Sequence, residues 1–267
     1  MTGDVYEIYA IRYASHEGRP ASLNFLRGDP HEGPGALDFF VWALKGPAGT
    51  IIVDTGYDAE AAARRDRKIV RPIAEGLKAI GIAPDDVQHV LITHMHWDHA
   101  GNHELFPRAR YHVQDCEMGY VTGRCMCHTE LRMPFEESDV IAMVRKVYAG
   151  RVEFHDGDDA AFSGVTLHKI GGHSRGLQCV RVNTRRGPVV LASDAAHLYE
   201  HIEKGRVFPL VFNVAEVLEG YATIKRLAPS PHHIVPGHDP LVTARYPAAG
   251  PGMDNWILRL DAEPKQS

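Results

Sequence analysis

One short stretch of the sequence, residues 93–102, contains three histidines and an aspartate in the order THMHWDHAGN. In an extended chain His94 and His96 point to the same side. The turn that Ala-Gly-Asn predicts can then bring Asp98 and His99 toward the same space. Imidazole nitrogens suit zinc and similar divalent ions, and a carboxylate adds a harder oxygen ligand. Because one tetrahedral ion cannot easily take four ligands from so short a loop, the spacing predicts two neighbouring metal ions.

Other residues that can bind metals follow three later segments that are predicted to be strands. His173 lies in GGHS, Asp194 and His197 lie in SDAAH, and His238 lies in PGHD. Sheets of α/β proteins place their functional sites in the loops at the carboxyl ends of their strands. The sequence therefore predicts that these residues converge with the first cluster.

The motifs HxHxDH, GGH, SD and PGH, with VDTG upstream, resemble the metallo-β-lactamase superfamily over about residues 38–240. The resemblance implies an αββα sandwich, which is an α/β fold of two mixed β-sheets flanked by helices, with a dinuclear metal site at one edge. It also implies a supporting role for Asp54 of VDTG, outside the ligand set. The implied ligands are His94, His96 and His173 for the first metal, Asp98, His99 and His238 for the second, and Asp194 as the bridge between them.

Within this superfamily the sequence is most similar to the N-acyl-homoserine lactonases, in its length, its Asp-Thr-Gly segment, its HAGN ending and its last Gly-His-Asp turn. Those lactonases usually carry Asp-x-x-Tyr at the bridging carboxylate, and the tyrosine hydroxyl contacts the lactone. Here the corresponding residue is His197, with Tyr199 two residues further on. Two interpretations of His197 stay open: it donates a hydrogen bond to the substrate carbonyl, or it is an ordinary polar lining residue.

The chemistry that this site predicts is hydrolysis of a lactone, an N-acyl-homoserine lactone or a related one, by a hydroxide that bridges two divalent ions. Zn²⁺ is the expected metal, and Fe, Mn or Co are alternatives. The expected catalytic residues are Asp98, which passes a proton to the leaving oxygen, together with Asp194 and His197. The implied role is quorum quenching.

Two other classes of enzyme remain as alternatives. One is a hydrolase of the same fold that acts on a thioester, a β-lactam or a phosphoester. The other is a non-haem iron oxidoreductase, although a flavodiiron protein would have Glu where His96 stands. A mononuclear iron enzyme, in turn, would not need both His99 and His238 as ligands. Metal analysis would separate these classes.

The elements that position these residues are predicted from hydrophobic periodicity and from turn residues. We expect one domain over residues 1–267, with a long loop at 14–35 and a mainly helical segment at 115–150 as candidate substrate rims. The predicted strands are 6–13, 37–44, 50–53, 89–93, 154–155, 165–170, 179–182, 189–192 and 234–235, and the predicted helices are 59–80 and 214–227.

Composition limits the choice of partners. The 267 residues include 29 Lys plus Arg and 34 Asp plus Glu, a net charge of −5 that argues against binding nucleic acid. The sequence has no uncharged apolar run of the roughly 20 residues that cross a bilayer, and it starts without an export signal. We therefore expect a cytoplasmic monomer or homodimer that acts on a small molecule, with no membrane partner and with its four cysteines reduced.

Eleven further histidines are predicted to be mostly surface residues or locally hydrogen-bonded residues. They are histidines 16, 31, 89, 103, 112, 128, 155, 168, 201, 232 and 233.

Overall fold

In the computed structural model of the protein, which describes residues 3–265, two mixed β-sheets of eight and five strands form the centre of the fold. The strands are β1 (Glu7–His16), β2 (Leu37–Gly46), β3 (Gly49–Val53), β4 (Lys68–Ile69), β5 (His89–Leu91), β6 (Arg110–Gln114), β7 (Val152–His155), β8 (Asp159–Phe162), β9 (Val165–Lys169), β10 (Gln178–Thr184), β11 (Gly187–Ser193), β12 (Ile234–Pro236) and β13 (Ile257–Arg259). The first sheet has the order β13-β1-β2-β3-β5-β6-β7, with β4 beside β1. The second sheet has the order β12-β11-β10-β9-β8.

Helices and single turns connect the strands. The helices are α1 (Ala59–Arg64), α2 (Ile73–Ala79), α3 (Asp115–Val121), α4 (Thr129–Arg132), α5 (Glu137–Tyr148), α6 (Tyr199–Lys204), α7 (Val214–Leu227) and α8 (Leu241–Arg245). Short 3-10 turns occupy Ala21–Asn24, Pro84–Asp86, His103–Leu105, Arg124–Cys127 and Pro231–His233.

Strand β2 shows why the layers stack. Successive side chains of a strand point to opposite faces of the sheet, and both faces of β2 are apolar. Phe40 and Trp42 enter a core that strands of both sheets share, so this core lies between the sheets. Phe39 and Val41 instead join a core that includes buried residues of α1, α2, α3 and α5. A third apolar cluster joins the second sheet to α6 and α7. The predicted αββα sandwich is therefore confirmed.

The predicted helix over residues 59–80 is wrong. The chain forms α1, then the short strand β4 beside β1, and then α2. Asp66 takes a left-handed φ of 52° after the first helix, and Pro72 precedes the second. Proline has no N–H to donate and its ring clashes with the preceding turn, so one continuous helix cannot pass through this position.

The other two long segments agree better with their predictions. Residues 115–150 are mainly helical, as predicted, and form α3, α4 and α5. The loop predicted at 14–35 is shorter, because β1 continues to His16 and Ala21–Asn24 forms a 3-10 turn. Among residues 3–265, no helix is both long enough and apolar enough to cross a membrane.

Candidate metal centre and active site

All the predicted site residues lie in loops that follow the carboxyl ends of four strands. Residues 94–99 follow β5 in the first sheet, and the others follow β9, β11 and β12 in the second. Strands β9 and β11 are both antiparallel to β10, and β12 is parallel to β11, so these three strands end at the same edge. Loops from both sheets therefore meet at one edge of the sandwich.

The carboxylate of Asp194 lies at the centre of the cluster, among six histidines, and is 4% exposed. Five imidazole Nε2 atoms approach its oxygens: His197 (3.0 Å), His238 (3.0 Å), His99 (3.2 Å), His173 (3.2 Å) and His94 (3.8 Å). The Oδ1 atom contacts His99 and His238, while Oδ2 contacts the other three. Each of the two carboxylate oxygens thus faces a different set of histidines.

Two groups of residues meet at this carboxylate, and within each group the donor atoms lie within 4.8 Å of one another. They consist of His94, His96, His173 and Asp194, and of Asp98, His99 and His238. In the second group the Oδ2 of Asp98 lies 3.6 Å from the Nε2 of His238. The structure therefore brings together all seven residues that the sequence motifs select, in the same two sets.

The positions of the donor atoms suit metal binding better than hydrogen bonding among the same atoms. In the part of the chain that the structure describes, the Nε2 atoms of His94, His99 and His173 and the Oδ1 of Asp194 are buried without a hydrogen-bond partner. Such unpaired buried polar atoms cost free energy. Divalent cations at these points would satisfy them, because neutral imidazole nitrogen and carboxylate oxygen are ordinary zinc ligands.

Hydrogen bonds on the outer side fix the orientation of the imidazoles. The Nδ1 of His99 lies 2.8 Å from Asp54 Oδ2, that of His173 lies 2.8 Å from the carbonyl of Leu210, and that of His238 lies 2.9 Å from the carbonyl of Asp38. Because an acceptor oxygen holds the Nδ1–H, the Nε2 lone pair of each ring points toward the centre.

Asp54 supports the site from behind, as the resemblance implies. Besides contacting His99, it accepts hydrogen bonds from the backbone N–H of Thr93 (2.7 Å) and from its hydroxyl (2.8 Å). Burial raises the pKa of Asp54 in spite of the adjacent His99 imidazole. Its left-handed φ of 60° turns the chain sharply after β3, which points the carboxylate at the histidine loop.

The backbone around Asp194 turns sharply and is closely packed. The preceding residue, Ser193, has a left-handed φ of 46°. Gly237 packs against the same loop, where a Cβ would come within 2.6 Å of the Asp194 Oδ1. A larger residue at 237 would therefore displace the central carboxylate.

Opposing charges shift the pKa values within the cluster. Burial raises the pKa of Asp194, but the surrounding imidazoles of His197, His238 and His99 outweigh it and hold the pKa well below its usual value. Burial lowers the pKa of His94 and His96 well below the ordinary value, so both imidazoles are neutral and can bind a metal.

Residues 37–243 match the model of the metallo-beta-lactamase superfamily. The chain belongs to this superfamily. An N-acyl homoserine lactonase of Bacillus thuringiensis is 29% identical over 185 residues, covering 62% of this chain and 68% of the relative. The N-acyl homoserine lactonase AttM of Azorhizobium caulinodans is 24% identical over 265 residues, covering 87% and 93%. The crystal structure of a quorum-quenching N-acyl homoserine lactone lactonase superposes with a TM-score of 0.71 at 25% identity, covering 90% of this chain and 94% of that one. The resemblance that the motifs indicate is therefore confirmed.

The metal loops of this superfamily member share a buttress that the sequence analysis missed. Glu117, on α3, is fully buried. It accepts hydrogen bonds from the backbone N–H of Met95 (2.8 Å), from the N–H of Gly176 (2.7 Å) and from the hydroxyl of Ser174 (2.7 and 2.6 Å). It thus joins the loop of His94 and His96 to the loop of His173. A single glutamate in a helical segment gives no sequence signal of this role.

We expect Glu117→Gln to weaken metal binding, because the amide nitrogen would face an N–H donor and the two loops would lose a shared acceptor. The expected loss is about 10–100-fold in metal affinity and about 1–3 kcal/mol in the free energy of unfolding. Competition with a chromogenic chelator and urea denaturation measure the two effects. The exposed Glu219 on α7 provides the matched control, Glu219→Gln. Equal metal affinity in both variants would contradict the buttress role.

Four of the eleven histidines left outside the site are buried, namely His103, His112, His155 and His201. The other seven are partly or fully exposed, in line with the expectation for most of the eleven, whereas His112 departs from it. Its Nε2 lies 3.0 Å from His89 Nδ1, and its Nδ1 lies 3.0 Å from His155 Nε2. His155 Nδ1 in turn lies 2.6 Å from Asp159. This histidine chain crosses β5, β6 and β7, so only the sheet pairing reveals it.

A cavity of 400 Å³ opens above the cluster, and Asp98, Asp194 and His197 lie at its base. The two predicted rim segments both line it, through His16, Arg19 and Leu23 and through Met133 and Pro134. Arg65, Arg67 and residues 208–210 also line it, and the sequence analysis did not select them.

His197 and Tyr199 differ in their surroundings. The imidazole of His197 stacks on Phe208 with 3.8 Å between ring centroids, and it lines the cavity. Tyr199 is buried against Arg245 and is absent from the lining of that cavity. Of the two residues, His197 is therefore the one placed to meet a substrate.

Proposed function

We propose that this protein is a metal-dependent hydrolase that opens the ring of a lactone, and that its seven donor residues bind two divalent ions, Zn²⁺ in the first instance. The observation that carries the proposal is the convergence of both donor groups on the carboxylate of Asp194. The relatives named as N-acyl homoserine lactonases support a lactone as the substrate class. A related lactone is equally compatible with the site.

Two divalent ions at such a site supply a Lewis acid for the substrate carbonyl and water activated for attack at neutral pH. The residues of the chain position the substrate and the proton. Asp98 lines the cavity, and its backbone is held by Tyr13, whose hydroxyl donates to the Asp98 backbone carbonyl at 3.0 Å. We assign to Asp98 the transfer of a proton to the leaving oxygen.

We further propose that His197 orients the carboxylate of Asp194 and contacts the substrate. Its Nε2 lies 3.0 Å from Asp194 Oδ2, and its ring forms part of the cavity wall. This contact occupies the Nε2 atom of His197, which would otherwise be free to donate a hydrogen bond to the substrate carbonyl. A role as positioning residue is therefore favoured over direct donation to the carbonyl.

The wider organisation is part of the same proposal. We treat residues 1–267 as one domain, because strands from both ends of the sequence, β1 and β13, enter the core between the sheets. Four free cysteines support a reducing compartment such as the cytoplasm. We propose a monomer or homodimer as the working state.

The test is a hydrolysis panel of N-acyl-homoserine lactones, γ- and δ-lactones, thioesters, β-lactams and phosphoesters, combined with metal analysis. We expect about two zinc ions per chain and lactone turnover that falls at least about 100-fold with chelator and returns with Zn²⁺. Turnover of a thioester, β-lactam or phosphoester in place of lactones would reassign the substrate. One iron per chain without hydrolysis would reject the proposal in favour of an oxidoreductase.

A further inference from the structure

The substrate cavity has a cationic rim that a neutral lactone does not need. Arg19, Arg65 and Arg67 all line the cavity whose base holds Asp194 and His197. We propose that Arg19 and Arg67 bind a carboxylate on the substrate, so that the preferred substrate is a lactone whose substituent ends in a negative charge. The inference rests on the proposed function and specifies its substrate class.

Arg65 is not part of this anion site because the protein already neutralises it. Its Nε lies 2.8 Å from a carboxylate oxygen of Glu136, and its Nη2 donates to the carbonyl of Met133 at 3.0 Å. Its guanidinium also lies over the ring of Trp97, 4.8 Å from the centroid. Arg65 therefore serves as a wall of the cavity.

Among residues 3–265, Arg67 and Arg19 have only neutral hydrogen-bond partners. The Nη1 of Arg67 donates to the backbone carbonyls of Arg65 (2.8 Å) and Asp66 (3.0 Å). Arg19 donates to the side-chain oxygen of Asn24 (2.7 Å) and to the carbonyl of Leu23 (2.6 Å). These bonds fix the two guanidinium groups in place and leave their charges uncompensated, with further N–H donors free to bind a ligand.

The two cations are close enough to affect each other. Burial, followed by the charge of Arg67, lowers the pKa of Arg19. Burial, followed by the charges of Arg67 and Arg19, also lowers the pKa of the adjacent His16, while the exposed Asp66 acts in the opposite direction. Partly buried like charges repel each other, and an anion between them would relieve that repulsion.

The chemistry of the rim favours an oxyanion. The planar guanidinium group matches a carboxylate, with two parallel N–H donors for its two oxygens. Leu37 and Phe39 line the cavity as well and offer apolar contact for the linker of such a substrate. The ring to be opened would lie at the base, beside Asp98, and the carboxylate would lie at the rim.

The experiment compares N-succinyl-homoserine lactone with its neutral methyl ester, which differ in one charge. We expect kcat/KM to favour the anionic lactone about 10-fold, mainly through KM, because a hydrogen bond to a charged group contributes this much. Arg67→Gln and Arg19→Gln should each reduce the preference to about 2-fold or less. Arg67→Lys should restore part of it, because it keeps the charge and loses the fork geometry. The matched control Arg65→Gln should keep the preference, since Glu136 retains Arg64 as a partner at 3.1 Å.

A binding measurement separates this inference from the proposed function. Propane-1-sulfonate is an oxyanion that coordinates metals weakly, so calorimetric titration with it probes the rim. We expect binding to the wild-type protein that weakens about 10-fold in Arg67→Gln. Equal hydrolysis of the two lactones together with no sulfonate binding would overturn the anion site and leave lactone hydrolysis intact. Sulfonate binding without hydrolysis of either lactone would instead reject the proposed reaction and keep the anion site.

Discussion

Asp194→Asn is expected to abolish paired metal binding and hydrolysis together. The substitution keeps the size of the side chain and removes the charge on which five imidazole Nε2 atoms converge. The NH₂ group of the amide would also face one set of donors, and an amide NH₂ group does not bind a metal. Transition-state stabilisation worth about 4 kcal/mol or more would be lost, which corresponds to at least about a 1000-fold fall in kcat/KM.

Metal stoichiometry is the deciding measurement, because activity alone does not separate loss of a bridge from loss of folding. We expect fewer than two zinc ions per chain in Asp194→Asn and an unchanged far-UV spectrum. His197→Asn, which alters a neighbour of the same carboxylate, should retain two zinc ions and lose turnover about 10–100-fold. An Asp194→Asn protein with two zinc ions and full turnover would show that the residue does not bridge the site.

Acidification between pH 6.5 and 4 is expected to destabilise the protein through three buried histidines outside the metal cluster. Burial is the main cause that lowers the pKa of His103 and His112 to about 3 and that of His201 to about 4. In the unfolded chain these groups titrate near 6.5, so the unfolded state binds more protons in this window and gains stability as the pH falls. Each histidine contributes up to about 1.4 kcal/mol per pH unit until the pH approaches its folded pKa.

Comparing the pH dependence of the free energy of unfolding between variants separates the contribution of these histidines from that of other titratable groups. Burial also raises the pKa of Asp139 to about 7, and that carboxyl acts in the opposite direction in the same window. His112→Gln should lower the free energy of unfolding at pH 7 by about 1–3 kcal/mol, because His89 and His155 lose a hydrogen-bond partner. Its dependence on pH below 6.5 should nevertheless be shallower than that of the wild type. Urea denaturation at a series of pH values measures both.

His128→Gln, which removes an exposed imidazole, is the control and should keep the wild-type slope. If His112→Gln showed the same slope as this control, His112 would not be held neutral in the folded protein.

The sequence selected the candidate metal-binding residues that the structure brings together, because each of them follows a buried strand. That pattern depends on local periodicity and on the spacing of HxHxDH, both of which a single chain displays. Glu117 and the histidine chain through His112 could not be predicted this way. Their partners lie 22 to 59 residues away along the chain, and only the packing of α3 and the pairing of β5, β6 and β7 bring them together.

One prediction failed and one further feature was missed, each for a physical reason of its own. Residues 59–80 have the apolar spacing of a helix, but Pro72 and the left-handed Asp66 divide the segment. The arginine rim was missed because Arg65 and Arg67 look like ordinary solvated charges in the sequence. Only the position of β4 beside β1 brings them to the cavity that Arg19 also lines.

The site draws on both sheets, and behind it the hydroxyl of Thr93, after β5, lies 2.9 Å from that of Ser193, at the end of β11. The two layers share no strand, and each of the two candidate ligand sets takes residues from both layers, so the geometry within each set depends on how the layers are aligned. A core substitution that slid one layer against the other by a fraction of an ångström would leave the protein folded and its spectra unchanged. It would still slow the reaction, because misplacement of reacting groups by about 1 Å can cost 100-fold in rate. Turnover in this enzyme should therefore report interlayer alignment more sensitively than melting temperature does.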